Sequence, residues 1–152
     1  MSTRTEPETD GIRVAVSTVI FSLRRGARGD RPTIVLPLVR RTRDPHEGRW
    51  ALPGGWLDRT EELDVAASRT LAETTGLAPS YLEQLYVFGD VGRSPGRVVS
   101  IVYWALLREG AKLPADAENV AWFDVADLPD LAVVFDDVAF LDVVSLHDEF
   151  DR

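Results

Sequence analysis

Apolar residues come in short dense runs in the first half of the chain, and their spacing changes once near its middle. Ile12–Leu23 is rich in Val, Ile, Thr and Phe and reads as a strand. Arg24–Pro32 carries Gly26 and Gly29 and reads as a turn, which makes Thr33–Arg41 the partner strand of a hairpin. Pro37 lies inside that second run and predicts an edge or bulged strand, because proline cannot donate to a ladder. Thr42–Gly48 is a polar loop. Arg49–Leu52 is a short strand stopped by the breaker Pro53-Gly54-Gly55.

The period then shifts from two to 3.6. Leu63, Ala66, Ala67 and Leu71 share one helical face at 100° per residue. Thr60 suits an N-cap, Glu61 and Glu62 suit the positive end of the helix, and Gly76 suits its stop after about Thr75. Tyr81–Val91, Val98–Leu107 and Asn119–Val125 read as strands, with a turn at Gly92–Gly96. Pro129 breaks the chain, and Phe135–His147 reads as a final amphipathic helix. The order β-β-β-α-β-β-β-α predicts an α+β fold, a mixed sheet flanked by helices. Residues 1–10 read as a loose tail and 11–152 as one domain, with no internal repeat.

Composition narrows the chemistry. At 152 residues and 45% apolar content the chain fills one ordinary core. There is no cysteine, which excludes disulfides, thiol nucleophiles and thiolate-bound metals. Neither a membrane-spanning run nor a signal peptide is present, so a cytoplasmic protein is expected. The net charge of −8 is uneven: residues 1–80 carry +1 and residues 81–152 carry −9. Eight cations, all arginine, fall between Arg24 and Arg49. They read as a solvated surface or as an edge whose guanidinium forks match phosphate oxygens. The acidic remainder, with no basic helical stripe, argues against duplex DNA. No P-loop, G-x-G-x-x-G or nucleophile elbow occurs. His46 and His147 read as surface residues.

The segment from Gly55 to Leu77, GWLDRTEELDVAASRTLAETTGL, resembles the Nudix box G-x5-E-x7-R-E-U-x-E-E-x-G-U, where U is aliphatic. Gly55, Glu61, Arg69, Leu71, Glu73, Gly76 and Leu77 match it without insertion, and Trp50-Ala51-Leu52-Pro53-Gly54-Gly55 is similar to the usual lead-in. The resemblance implies the Nudix fold, an α/β/α sandwich. It also implies Mg²⁺ held by box carboxylates, which neutralises a diphosphate and orients a water. Two positions depart. Thr70 and Thr74 stand where the family has glutamates, and as i and i+4 they share one helix face. A carboxylate there needs a cation, whereas a threonine hydroxyl can bond the carbonyl one turn back. The box residues left for catalysis are Glu73, Glu61 and Arg69. Glu73 reads mainly as a partner of Arg69, and alternatively as the ligand of a surviving weak metal site with Glu61 or a distant acid. Glu83, Asp90, Asp116 and Glu118 are candidate bases among which the sequence does not choose.

Phe88-Gly89-Asp90 and the run Arg93–Tyr103 resemble a narrower Nudix branch. It contains ADP-ribose pyrophosphatase-like proteins and Nudix-related regulators of NAD metabolism, in which a winged helix-turn-helix follows the Nudix part. No such module follows here, so a standalone domain or a fragment is expected. The resemblance implies a nucleoside diphosphate-linked ligand such as ADP-ribose. Candidate ligand contacts are Arg40, Arg49, Trp50, Gly54, Gly55 and Arg97, with Arg41 and Arg43 as further phosphate contacts. Trp50, Trp56, Phe88 and Tyr103 offer flat surfaces for adenine, or core packing. The leading expectation is binding of such a ligand with weak or lost hydrolysis, and no cofactor. The alternatives are an active Mg²⁺-dependent pyrophosphatase with a rearranged metal site, and a dimeric interaction domain without ligand.

Overall fold

The computed structural model describes residues 11–25, 31–42, 47–92, 96–113 and 118–130. Seven strands and one α-helix follow in the order β1 (Arg13–Arg25), β2 (Pro32–Arg40), β3 (Trp50–Ala51), β4 (Gly54–Trp56), α1 (Leu63–Thr75), β5 (Glu83–Phe88), β6 (Val98–Leu106) and β7 (Val120–Asp124). A short 3₁₀ helix, Val125–Asp130, closes the described chain and contains Pro129. The arrangement is α+β with a mixed sheet, as the alternating patterns predict. The expected helix Phe135–His147 lies outside the described residues, as do the tail and most of the Arg24–Pro32 turn.

The long strand β1 organises the rest. Its first nine residues pair in parallel with β6, from Arg13 opposite Val98 to Phe21 opposite Leu106. Ala15–Ser17 also pair antiparallel with β4, and β5 pairs antiparallel with the far side of β6. Beyond Phe21, β1 leaves this group and pairs antiparallel with β2 over Ser22–Arg25. β2 in turn pairs with β3 and β7.

β2 is therefore not the edge strand that Pro37 predicts. Its ladder to β1 ends at Val35, and Pro37 faces Trp122 of β7. The missing N–H falls where β1 has already peeled away, so a fully buried proline costs no bond to β1. The Pro53-Gly54-Gly55 breaker also needs correction, since Gly54–Trp56 is a strand. A Cβ on Gly54 would clash with the Val16 carbonyl and touch Ser17 Oγ. Glycine lets β4 approach β1 closely enough to pair.

α1 covers one face of the parallel pair. Ala66, Ala67 and Leu71 are fully buried, the first two with Val16, Ile101 and Tyr103 and the last with Ile20, Leu77 and Ala105. Small side chains at 66 and 67 bring helix and sheet close. On the opposite face, Val19, Phe21, Phe88 and Val102 pack with Leu36, Leu38 and Leu128, so β2 and the 3₁₀ helix cover that end of the sheet.

The helix stops where expected. Gly76 is left-handed at φ 73° and its N–H donates to the Ala72 carbonyl. Its start differs. Glu62 occupies the N-cap position without a side-chain cap bond, not Thr60. Asp58 explains the shift: its carboxylate accepts both the Thr60 N–H, at 3.0 Å, and the Thr60 hydroxyl, at 3.1 Å. Thr60 is thereby spent on a turn before the helix begins.

Candidate functional site

The loop between β4 and α1 is closed by one guanidinium. Arg69, on the second turn of α1, donates from Nε to Glu61 Oε2 at 2.8 Å and from Nη2 to Glu61 Oε1 at 2.6 Å. It also donates to the Trp56 carbonyl at 3.0 Å and to Glu73 Oε2 at 3.1 Å. The Asp58 N–H adds a fourth anchor by donating to Glu61 Oε1 at 2.9 Å. β4, the loop and two turns of helix are thus tied through a single planar fork. The Arg69 bond, followed by the Asp58 N–H, pulls the Glu61 carboxyl down to about 2. The same contact with Glu61 holds the Arg69 proton more firmly than usual.

Glu61 is thus the main partner of Arg69, and Glu73 the lesser one. The side chain of Glu61 is 12% exposed, against 61% for Glu73. Glu73 makes one bond to Arg69 and otherwise faces solvent.

The two threonines turn onto their own helix. Thr70 is 2% exposed and its hydroxyl donates to the Ala67 carbonyl at 3.3 Å. Thr74 is half-buried and donates to the Thr70 carbonyl, one turn back, at 2.6 Å. Thr70 also packs on Gly55: a Cβ there would lie 3.0 Å from Thr70 Cγ2. Gly55 and Thr70 therefore fit each other, with β4 passing directly over the helix.

The remaining candidates divide by place. Arg40 and Trp50 meet at the β2–β3 hairpin, the guanidinium 5.6 Å from the indole centroid, and Trp50 packs edge-on against Phe123 at 4.8 Å. Arg49 is exposed there, and its carbonyl accepts the Arg41 N–H. Arg97 donates from Nη1 to the Gly89 carbonyl at 2.5 Å, which spends part of its fork on the β5–β6 connection. Phe88 and Tyr103 are buried core residues, not open surfaces, and burial with Asp64 nearby raises the Tyr103 hydroxyl pKa. Trp56 is 42% exposed. Glu83, Asp90 and Glu118 are exposed, while Arg43, His46, Asp116 and His147 lie outside the described residues.

Arg13 is not singled out by the sequence reading. Its guanidinium carbon lies 3.5 Å from the centroid of the Trp56 ring, beside the Arg69 anchor. Strand alternation from Val16 places it on the face away from α1, but the sequence carries no signal that β4 runs alongside.

Comparisons with known proteins bear on the family and the fold. A family model described as NUDIX domain matches residues 12–143. An ADP-ribose pyrophosphatase of Methanocaldococcus jannaschii is 39% identical over 98 residues, 62% of this chain and 57% of that protein. The ADPR responsive transcriptional repressor NtrR of Acinetobacter baylyi is 31% identical over 128 residues, 81% of this chain and 49% of that protein. The chain spans about half the length of these curated relatives. Among solved structures, the NUDIX domain of Shewanella oneidensis NrtR complexed with ADP ribose superposes with a TM-score of 0.74 at 29% identity, covering 91% of this chain and 90% of that one.

Proposed function

The chain belongs to the NUDIX domain family, and on that premise we propose that it binds ADP-ribose or a related nucleoside diphosphate-linked ligand and hydrolyses it weakly or not at all. The binding half of this reading draws support from the relatives, whose names tie both an enzyme and a repressor to ADP-ribose. The arginines at the β2–β3 hairpin and at the start of β6 are suited to phosphate oxygens.

One observation carries the catalytic half. At the two box positions where the family resemblance implies carboxylates, the side chains are hydroxyls donated to backbone carbonyls of α1. The donor set does not fit a carboxylate-held Mg²⁺. Glu61 is committed to Arg69 through both oxygens, and the more exposed Glu73 is also bonded to Arg69. Mg²⁺ takes near-octahedral oxygen ligands including carboxylates, and a threonine whose proton is spent on a carbonyl is a poor substitute. What the residues do instead is rigidify the β4–α1 loop, so that Gly54, Gly55 and Trp56 present a fixed edge to a ligand.

The exposed Glu73 favours a second reading, an active hydrolase whose metal is gathered by Glu73 and the substrate's own phosphates. Calorimetry with ADP-ribose in EDTA and in millimolar Mg²⁺, with product analysis, separates the two. Metal-independent binding and a kcat far below the common enzyme median of about 10 s⁻¹ support the first. Turnover near that median overturns it.

A further inference from the structure

Arg13 opens β1, and Trp56 ends β4. In the antiparallel pairing of these strands Trp56 faces Ala15, so Arg13 is its diagonal neighbour on the same face. The guanidinium carbon stands 3.5 Å from the indole centroid, the distance of a stacked contact. Stacking uses the face of the guanidinium and none of its N–H groups. Of the Arg13 donors, the main-chain N–H is the one with an acceptor among the described residues, the Arg97 carbonyl. The five side-chain donors are held by the stack and have no hydrogen-bond acceptor among the described residues.

The place of this fork matters more than its exposure. Trp56 is the residue whose carbonyl accepts Arg69, so one residue ties Arg13 to the Glu61–Arg69 clasp. Across the sheet from Trp56 stand Ala15 and Ser100, short and half-buried, and Trp56 itself is 42% exposed. The main chain of Arg97, another cation at this end of the sheet, is bonded directly to that of Arg13. Arg25 and Arg69 pair with carboxylates, those of Glu109 and Glu61. Arg24 and Arg40 lie over Trp122 and Trp50 at 5.0 and 5.6 Å, whereas Arg13 is in close contact with its ring at 3.5 Å.

We infer that Arg13, held flat on Trp56, is a ligand-binding residue that takes phosphate oxygens of the nucleotide in its fork. The inference rests on the nucleotide-binding reading above and deepens it by naming a specificity residue outside the box. Planar preorganisation makes arginine suited to phosphate, and a lysine keeps the charge but neither the fork nor the stack.

Calorimetry on the parent chain, Arg13→Ala and Arg13→Lys, with ADP-ribose, ADP and adenosine as probes, tests it. Arg13→Ala is expected to weaken ADP-ribose and ADP by about tenfold or more and to leave adenosine within about twofold. Arg13→Lys is expected to recover only part of the loss. Thermal melting checks that the variants fold, since an exposed stack contributes little to stability. A parent that binds ADP-ribose while Arg13→Ala binds it equally well overturns this inference and leaves the nucleotide reading standing. Equal losses for ADP-ribose and adenosine also overturn it, because Arg13 would then act only by supporting the indole. A parent that binds ADP but not ADP-ribose overturns the ADP-ribose reading, and the Arg13 comparison is then read on ADP. A parent that binds neither overturns both.

Discussion

Arg69 and Glu61 are joined by two parallel hydrogen bonds of 2.6 and 2.8 Å across eight residues of sequence. The pair fixes where the loop enters the helix, since the N-cap position has no side-chain cap of its own. The clasp replaces a local cap by a bond between loop and second turn.

The clasp makes stability depend on acid. The folded Glu61 pKa is lowered from an ordinary 4.5 to about 2, chiefly by its bond to Arg69. A group depressed in the folded state contributes stability above its unfolded pKa and loses it as pH falls toward the folded value. Glu61→Gln is therefore expected to melt lower than the parent at neutral pH. The difference should shrink between pH about 4.5 and about 2. Melting curves across that range check this, and a parent-to-variant difference independent of pH would contradict it.

Packing between β4 and α1 gives a second test. A methyl at Gly55 would meet Thr70 Cγ2 at 3.0 Å, whereas one at Gly54 would meet the main chain of Val16. Side chains yield more cheaply than backbone. Gly54→Ala is expected to destabilise by more than the ~1–3 kcal/mol typical of overpacking, and Gly55→Ala by less than Gly54→Ala. Thr70→Ser removes the obstructing methyl, so combined with Gly55→Ala it should restore part of the loss. Denaturant unfolding of the double-mutant cycle measures that coupling, expected at ~0.5 kcal/mol or more. Strict additivity would show that the two residues do not press on each other.

Arginines at two places should respond differently. Arg97 lends a nitrogen to the Gly89 carbonyl, and Arg49 is exposed on a hairpin. Arg97→Ala is expected to cost ~1 kcal/mol or more of stability, because a charge-assisted bond is lost. Arg49→Ala should leave stability within ~0.5 kcal/mol. Any effect of Arg49→Ala should instead appear as weaker ADP-ribose binding with adenosine unchanged. A stability loss at Arg49 equal to that at Arg97 would refute the distinction.

How far the sequence reaches can be judged from the same residues. The box itself was readable because its spacing is local: Gly55, Glu61, Arg69 and Gly76 fall within a little over twenty residues, and the helix period orders most of them. The buried face of Ala66, Ala67 and Leu71 follows from that period, and the Gly76 stop from its left-handed backbone. Contacts set by strand order were not readable. That Arg13 lies on Trp56, that Pro37 is interior and that Gly54-Gly55 form a strand all depend on which strands become neighbours. Asp58 displaced the expected Thr60 cap because two side chains competed for one turn, a contest that residue preferences alone do not decide.

The two threonines allow the metal question to be asked by building the site. Thr70 is 2% exposed against Gly55, and Thr74 is half-buried with its hydroxyl on the Thr70 carbonyl. In the double variant Thr70→Glu and Thr74→Glu, two carboxylates one turn apart repel each other, and the first must find room beside β4. In EDTA the variant is expected to be less stable than the parent by ~1–3 kcal/mol, from overpacking and poor solvation together. Glu73 then becomes the third carboxylate on that side of the helix, and Mg²⁺ has oxygen ligands to bind. A cation that binds only the folded state returns stability by mass action, about 2.7 kcal/mol at a hundred times its Kd. Melting of parent and variant, each with EDTA or with millimolar Mg²⁺, should show a metal-dependent rise in the variant and almost none in the parent. A comparable rise in the parent would mean that Glu73 already gathers a metal without the two glutamates, and the active-hydrolase reading would take precedence.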